Sequence, residues 1–139
     1  MNASSLEELI GEALKVREAA HVPYSCFGVG AALEAMDGRV VLGCNVENAS
    51  YGLTMCAERV AVAAAVSRGV LDWKRLVVAV EGPGPVAPCG ACRQVLAEFC
   101  EELEIVLADS HGGRETVQLS ELLPKRFGEE DLQSVPSSG

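Results

Sequence analysis

Two short cysteine motifs constrain this chain more than any other feature of its sequence. They are Cys56-Ala57-Glu58-Arg59 and Pro88-Cys89-Gly90-Ala91-Cys92-Arg93. Three thiolates leave a zinc ion one ligand short of a tetrahedral set, and an open fourth position is what separates a catalytic zinc site from a structural one. Glu58 follows a candidate ligand by two residues, where a carboxylate can move protons beside the metal without binding it. The fold therefore has to bring two distant segments to one point.

Length and composition favour a single domain that acts on a small molecule. The chain has 139 residues, 49% of them hydrophobic but only 4% aromatic, which suits helices packed tightly on a sheet. A net charge of −9 argues against a nucleic-acid partner, because such binding depends on Lys and Arg. The N-terminus lacks a signal-peptide pattern, and the apolar runs are too short to cross a membrane. We expect a cytoplasmic protein whose six cysteines are thiols or metal ligands.

Apolar periodicity and turn signals predict a three-layer α/β/α domain with a mixed five-stranded sheet. Ser5 caps the first helix, Asp37-Gly38 makes a hairpin turn, Thr54 caps the second helix and Gly69 ends it. Residues 1–127 form the domain, and a flexible tail is expected over 128–139. Helices are predicted over 6–20, 54–68 and 89–101, a helical turn over 120–123, and strands over 29–35, 39–46, 75–81, 104–108 and 115–119.

The cysteine motifs fall at the predicted starts of two helices. A helix N-terminus favours negative charge, so it stabilises thiolates relative to thiols. Three thiolates on Zn²⁺ still leave a net charge of −1, which weakens the pull of the metal on a bound water. Arg59 and Arg93 each directly follow a motif residue. We expect at least one of them to donate hydrogen bonds to the thiolates.

Simpler interpretations of the same residues exist. A lone C-x-x-C motif is often a redox pair or half of a structural zinc site. A fourth cysteine, from Cys26, Cys44 or Cys100, can close the coordination shell. Glu58 can be an ordinary exposed helix residue. The coincidence of both motifs at helix starts favours catalytic zinc, and Cys26, Cys44 and Cys100 are then interpreted as buried small hydrophobic residues.

A possible substrate-binding pair follows the second predicted strand. Residues i and i+2 of a strand share a face, so Asn45 and Glu47 are expected to project together while Val46 turns to the core. An amide beside a carboxylate can bind hydroxyl groups such as those of a sugar, although a solvated strand end explains the same pattern. Phe27 and Tyr51 flank this region and can form walls for a flat base, unless they are simply core.

Longer motifs resemble the cytidine deaminase family, in its small three-cysteine branch. The spacing C-x-E followed by P-C-x-x-C is the zinc deaminase signature. The resemblance covers most of the chain and includes Tyr24-Ser25-Cys26-Phe27-Gly28-Val29-Gly30-Ala31-Ala32-Leu33, the run from Asn45 through Arg59, Pro88-Cys89-Gly90-Ala91-Cys92-Arg93-Gln94, and Leu122-Leu123-Pro124 with Phe127.

This resemblance implies a role for each candidate site residue. It implies one zinc ion per subunit on Cys56, Cys89 and Cys92, with Glu58 as the proton shuttle. It also implies a homotetramer with shared active sites, in which residues of one subunit serve the pocket of a neighbour. The substrate-binding residues it implies are Phe27, Asn45, Glu47, Ala57, Tyr51 and Phe127, the last two for a neighbour's pocket.

The implied reaction is the hydrolytic deamination of cytidine, and of 2′-deoxycytidine, in pyrimidine salvage. Glu58 takes a proton from the attacking water, protonates N3 of the ring and relays a proton to the leaving amine, so that uridine and ammonia depart. Three alternatives stay open. They are a related small-molecule deaminase such as blasticidin S deaminase, a polynucleotide-editing deaminase, and a structural zinc module with four protein ligands.

Overall fold

The computed structural model describes residues 5–133 and has one five-stranded sheet at its centre. In chain order, the strands are β1 (Val29–Ala35), β2 (Val40–Cys44), β3 (Trp73–Val80), β4 (Glu104–Asp109) and β5 (Arg114–Gln118). Their spatial order is β2-β1-β3-β4-β5. The β3–β4 pair is parallel and the other three pairs are antiparallel, which confirms the predicted mixed sheet.

Helices cover both faces of the sheet. Helix α1 (Leu6–Arg17) packs on one face, and α2 (Ala57–Ser67) and α3 (Gly90–Phe99) pack on the other. A 3₁₀ turn at Tyr51–Leu53 precedes α2. Two short helices follow the sheet, α4 (Leu119–Leu122) and α5 (Glu129–Gln133). The three-layer α/β/α architecture is thus confirmed.

The α1 face depends on a close approach between helix and sheet. Leu9, Ile10 and Ala13 of α1 are buried against small or β-branched side chains of the sheet. Gly30 in β1 allows this approach, because a Cβ there would lie 1.8 Å from the carbonyl oxygen of Ala13. Gly43 has the same function on the opposite face, where a Cβ would lie 2.5 Å from the backbone nitrogen of Ala61 in α2. Glycine is therefore required on both sides of the sheet.

The second helix begins two residues later than predicted. Its N-cap is Cys56, in an extended conformation, and not Thr54. The Thr54 hydroxyl instead accepts a hydrogen bond of 3.1 Å from the backbone N–H of Asn48, which closes the preceding loop. The predicted end is confirmed, since Gly69 has φ of +69° directly after the last turn. This correction puts a candidate metal ligand at the helix N-cap itself.

Three further boundaries differ from expectation. Helix α1 ends at Arg17, because the next three residues bond to carbonyls three positions back and tighten the chain. Helix α3 ends at Phe99, two residues early. Part of the predicted flexible tail forms α5, and residues 134–139 of that tail lie outside the described residues. Between residues 5 and 133, no helix is long and apolar enough to cross a membrane.

Candidate metal centre and adjoining cavities

The sulfur atoms of Cys56, Cys89 and Cys92 come together, as the sequence predicted. All three lie within 4.8 Å of one another. The Cys56–Cys89 and Cys89–Cys92 sulfur separations are 3.7 Å and 3.3 Å. Zinc–sulfur bonds of about 2.3 Å in a tetrahedral site imply sulfur–sulfur separations of about 3.8 Å. The donor set and its spacing therefore fit a zinc ion bound by three thiolates.

Local sequence explains why these sulfurs converge. Cys56 is the N-cap of α2 and Cys89 is the N-cap of α3, and Cys92 lies in the first turn of α3. Pro88 precedes the second N-cap, and proline before or within a first turn costs the helix no hydrogen bond. Two helix N-termini are thus directed at one point, where their partial positive charge favours thiolates.

The thiols of the cluster differ in how readily they lose a proton. Interaction with the neighbouring Cys92 thiol and the hydrogen bond from Arg59 lower the pKa of Cys56 to about 5. The same interaction, together with burial, raises the pKa of Cys92. Loss of the proton from Cys56 is therefore favoured, whereas loss of a further proton from Cys92 is opposed. A bound divalent ion removes that opposition by supplying the missing positive charge.

The two arginines beside the motifs have different partners. An Nη atom of Arg59 lies 3.7 Å from the Cys56 sulfur and 3.2 Å from the carbonyl oxygen of Thr54, and it donates to both. Arg93, expected to support a thiolate, donates instead to the carbonyl oxygens of Pro88 at 2.8 Å and Leu122 at 3.0 Å. It ties the start of α3 to α4, so its effect on the cluster passes through the backbone.

Glu58 is not the ordinary exposed helix residue of the simpler interpretation. Its exposed fraction is only 4%, in the first turn of α2. Burial raises the pKa of its carboxyl group, and the negative charge of Cys56 adds to the effect. A carboxyl group with a raised pKa takes up and releases protons more evenly near neutral pH than an exposed glutamate does. The position and the chemistry both suit a proton shuttle.

A small cavity opens beside the cluster. Its volume is about 180 Å³, less than the roughly 300–1,000 Å³ of sites that hold drug-sized ligands. Such a volume suits one heteroaromatic ring better than a larger molecule. The lining residues are Val29, Asn45, Thr54, Met55, Cys56, Ala57, Glu58, Val78, Val86, Ala87 and Cys89.

Asn45 and Glu47 lie near this cavity but face different spaces. Asn45 lines it, and its side chain bonds to the backbone of β1, accepting from the N–H of Val29 and donating to the carbonyl of Phe27, both at 2.9 Å. Glu47 lines a second cavity of about 280 Å³, with Tyr24, Ser25, Tyr51 and Thr54. Among the residues that the structure describes, Thr54 alone lines both cavities.

The prediction that Val46 turns to the core is wrong. Its exposed fraction is 44%. Pairing between β1 and β2 ends at Cys44, and Val46 forms isolated bridges with His21 and Met55 beyond the sheet. The strand alternation assumed for Asn45 and Glu47 therefore does not apply, and each side chain is fixed by its own hydrogen bonds.

The three aromatic residues predicted to bind substrate do not all lie beside the two cavities. Phe27 is 44% exposed, and its carbonyl is tied to Asn45 near the entrance. Tyr51 is 79% exposed at the edge of the second cavity. Phe127 is 58% exposed and lines a separate groove with Phe99 and Arg126. Within one chain, Phe127 does not reach the metal cluster.

The remaining cysteines do not join the cluster. Among the described residues, the metal-ligand grouping contains only the three motif cysteines. The interpretation of the others as buried was wrong for Cys26, which is exposed and has φ of +58° in a turn, while Cys44 and Cys100 are half-buried. With no fourth thiol nearby, the closed structural zinc site loses its proposed ligand.

Sequence reasoning missed two residues that shape the site. Ser25 bonds to both Glu47 and Phe27, and its acceptance of the Phe27 N–H at 3.0 Å is a serine turn that local sequence can suggest. Asp109 accepts bonds from the N–H groups of Gly84, His111 and Gly113 at 2.8–2.9 Å. Its contact with Gly84 anchors the loop that runs from β3 to Cys89. No local sequence pattern predicts this contact, because the two residues are 25 positions apart.

Comparison with known proteins agrees with this geometry. Residues 3–108 match the family described as the cytidine and deoxycytidylate deaminase zinc-binding region. A cytidine deaminase from Sporosarcina psychrophila is 52% identical over 128 residues, covering 91% of this chain and 94% of that protein. The crystal structure of cytidine deaminase from Burkholderia pseudomallei is similar with a TM-score of 0.86 and 46% identity, covering 89% of this chain and 100% of that one.

The alternative of a blasticidin S deaminase can be compared with a more distant relative. A blasticidin-S deaminase from Bacillus cereus is 30% identical over 108 residues, covering 71% of this chain and 76% of that protein. The two cytidine deaminases described above are thus more similar to this chain and match over more of it. From the family match, the identities and the three-cysteine cluster together, this chain belongs to the cytidine and deoxycytidylate deaminase family.

Proposed function

We propose that this protein is a zinc-dependent hydrolase that deaminates cytidine, and 2′-deoxycytidine, to uridine or deoxyuridine and ammonia. One observation carries the proposal: Glu58, buried and with a raised pKa, lines the same small cavity as Cys56 and Cys89 of the thiol cluster. The similarity to curated cytidine deaminases supports the choice of substrate.

The three thiols would hold the zinc ion and leave one coordination position for water. When bound, zinc polarises that water and lowers its pKa towards neutrality. Arg59 draws negative charge away from the Cys56 sulfur, which makes the thiolate set a weaker electron donor. The apolar walls formed by Val29, Val78 and Val86 exclude bulk water from the cavity and strengthen the electrostatic interactions within it.

Glu58 would serve the reaction twice. Its carboxylate accepts a proton from the attacking water and delivers it to N3 of the ring, which makes C4 more electrophilic. It then takes the proton of the hydroxyl group now on C4 and passes it to the exocyclic amine, so that the C4–N bond breaks, the C4 carbonyl forms and ammonia leaves. A single group can do both because a carboxyl group with a raised pKa holds a proton more readily than an exposed glutamate does and can still release it.

The sugar would lie in the second cavity. The cavity at the cluster accommodates a ring, and Thr54 connects it to the space beside Glu47. We propose that Glu47, from the second cavity, and Asn45, from the first, bind ribose hydroxyls where the two cavities adjoin, and that Phe27 and the Ala57 backbone contact the base. This arrangement favours a free nucleoside over blasticidin S, which lacks the ribose hydroxyls from which Glu47 would accept hydrogen bonds.

We also propose a homotetramer with shared active sites. Large apolar side chains are exposed around the two cavities, an arrangement that often marks a protein interface; they include Phe27, Val46, Tyr51, Leu53 and Met55. Tyr51 and Phe127 would then complete the pocket of a neighbour. We propose a cytoplasmic location, since thiol ligands stay reduced there, and a single catalytic domain over 1–127.

The decisive experiment follows cytidine conversion by ultraviolet absorbance, with blasticidin S as a parallel substrate. Conversion of cytidine should stop when a strong chelator removes zinc and return when zinc is restored. Zinc binding without conversion of cytidine would contradict the proposal, and preferential conversion of blasticidin S would move the protein to the alternative function.

A further inference from the structure

The segment from Tyr24 to Phe27 is folded around the carboxylate of Glu47. One carboxylate oxygen, Oε1, accepts from the backbone N–H groups of Tyr24 at 3.0 Å and Ser25 at 3.1 Å. The other, Oε2, accepts from the hydroxyl of Ser25. Two donors occupy Oε1, whereas Oε2 keeps one acceptor direction for another partner. The Ser25 hydroxyl therefore helps to fix the orientation of Oε2, the carboxylate oxygen that can still accept a hydrogen bond.

The same hydroxyl also holds the residue that would contact the base. The backbone N–H of Phe27 donates to the Ser25 Oγ at 3.0 Å. The Phe27 carbonyl in turn accepts from Asn45, which lines the cavity at the metal cluster. The Ser25 hydroxyl thus links the second cavity, through Glu47, to the rim of the first, through Phe27. It does so with one proton donated and one accepted, which uses its hydrogen-bonding capacity in both directions.

We infer that Ser25 is a positioning residue that gives this enzyme its selectivity for a sugar hydroxyl. This inference rests on the proposed function, in which Glu47 accepts a hydrogen bond from the ribose. Ser25 does not touch the reacting atoms and lines the second cavity only. Its effect should therefore fall on substrate binding through the sugar, and not on the proton transfers made by Glu58.

Ser25→Ala removes the donor to Oε2 and the acceptor for the Phe27 N–H. Glu47 then loses one of the three groups that orient its carboxylate, and the position of Oε2 is less well fixed. For cytidine we expect KM to rise roughly 5- to 20-fold, the range for weakening one hydrogen bond to a charged group, with kcat changed less than about twofold. Ser25→Thr keeps the hydroxyl and should restore most of the loss.

A second substrate separates positioning from general damage. In 2′,3′-dideoxycytidine the 2′ and 3′ hydroxyls are absent, so Glu47 has no hydroxyl on the sugar ring from which to accept a hydrogen bond. We expect wild-type enzyme to favour cytidine over this analogue in kcat/KM. Ser25→Ala should reduce that preference, because the analogue loses only the smaller contribution that reaches the base through Phe27. An equal loss on both substrates would mean that Ser25 has only a structural role, and would overturn the inference.

The chain contains a matched control. Ser120 bonds to Glu102 in the same manner, with its backbone N–H donating to Oε1 at 2.9 Å and its hydroxyl donating to Oε2 at 2.5 Å. Neither residue lines the two substrate cavities. Ser120→Ala should leave the kinetics of both substrates unchanged. A shift in selectivity with Ser120→Ala as large as that with Ser25→Ala would overturn the inference, since it would show no dependence on Glu47.

The wild-type measurements distinguish failure of this inference from failure of the proposed function. If wild-type enzyme converts neither nucleoside, the proposed function itself is wrong. If it converts both with equal kcat/KM, deamination stands but Glu47 does not recognise a hydroxyl, and the inference is overturned. Only a wild-type preference for cytidine that Ser25→Ala selectively erodes supports it.

Discussion

Replacing Gly30 with alanine should force α1 away from the sheet. A Cβ at this position would lie 1.8 Å from the carbonyl oxygen of Ala13 and 2.8 Å from its carbonyl carbon. Ordinary contacts begin at 3.4 Å, so the helix has to move by at least about 1.6 Å. Both obstructing atoms belong to the helix backbone, and no side-chain rotation relieves the clash.

The cost follows from what that movement disturbs. Leu9, Ile10 and Ala13 are at most 2% exposed and all belong to α1. Overpacking a well-packed core costs typically 1–3 kcal/mol, and a backbone obstruction lies at the upper end, so we expect a loss of about 3 kcal/mol in the free energy of unfolding. With a urea m-value of about 2 kcal/mol/M, the midpoint should fall by about 1.5 M.

The assay is urea unfolding at fixed protein and zinc concentrations, with Gly11→Ala as the matched control. Gly11 lies on the exposed side of the same helix, and nothing approaches its added Cβ within 4 Å. Alanine is a better helix former than glycine by about 1 kcal/mol, so this variant should raise the midpoint. A Gly30→Ala midpoint close to that of wild type would refute the packing argument, as would a shift of both variants in the same direction.

Three other substitutions test the site and its support. Glu58→Gln should keep zinc but lower kcat by about 10²–10⁴, measured beside the metal content, and near-full turnover with zinc bound would contradict the proton-shuttle role. Arg59→Gln should weaken zinc binding roughly tenfold in chelator competition, because the Cys56 sulfur loses a hydrogen-bond donor; an unchanged affinity would remove that role. Hydrogen bonds from the backbone N–H groups of Gly113 and Gly84 lower the pKa of Asp109 below its ordinary 3.8. The contribution of this carboxylate to stability is therefore complete above pH 3.8 and is lost as pH falls through the lower pKa of the folded state. Asp109→Asn should therefore unfold at lower urea than wild type at pH 7, with a gap that narrows below about pH 4, and a gap independent of pH would argue against the carboxylate.

The parts of the fold that depend on residues adjacent in sequence could be predicted from the sequence. The start of α3 follows from Pro88 before Cys89, and the end of α2 follows from Gly69, because both depend on backbone geometry within a few positions. The three motif cysteines lie in two segments that are 33 residues apart at Cys56 and Cys89, and it was the spacing within each motif that predicted one metal site. The sulfur separations agree with that prediction. The functional roles of the substrate-binding residues stay predictions.

Contacts between distant polar residues could not be predicted. Arg93 donates to Leu122, which is 29 residues away, so its expected contact with a thiolate rested only on its place beside the motif. Ser25 meets Glu47 across 22 residues in a loop without periodicity. Val46 was assigned to the core from strand alternation, but the strand ends before it. In each case the backbone path of a loop decides the contact, and composition carries no information about that path.

The placement of Thr54 between two separate cavities has an evolutionary consequence. The cavity that holds Glu58 and the thiol cluster shares with the cavity beside Glu47 only this one residue among those described. Substitutions on the Glu47 side can accumulate without altering the groups that perform the chemistry. A deaminase with two such cavities can acquire a new amine-bearing substrate through changes in the second cavity alone. Libraries that vary only the residues of the second cavity therefore offer the shortest route to deaminases with new substrates.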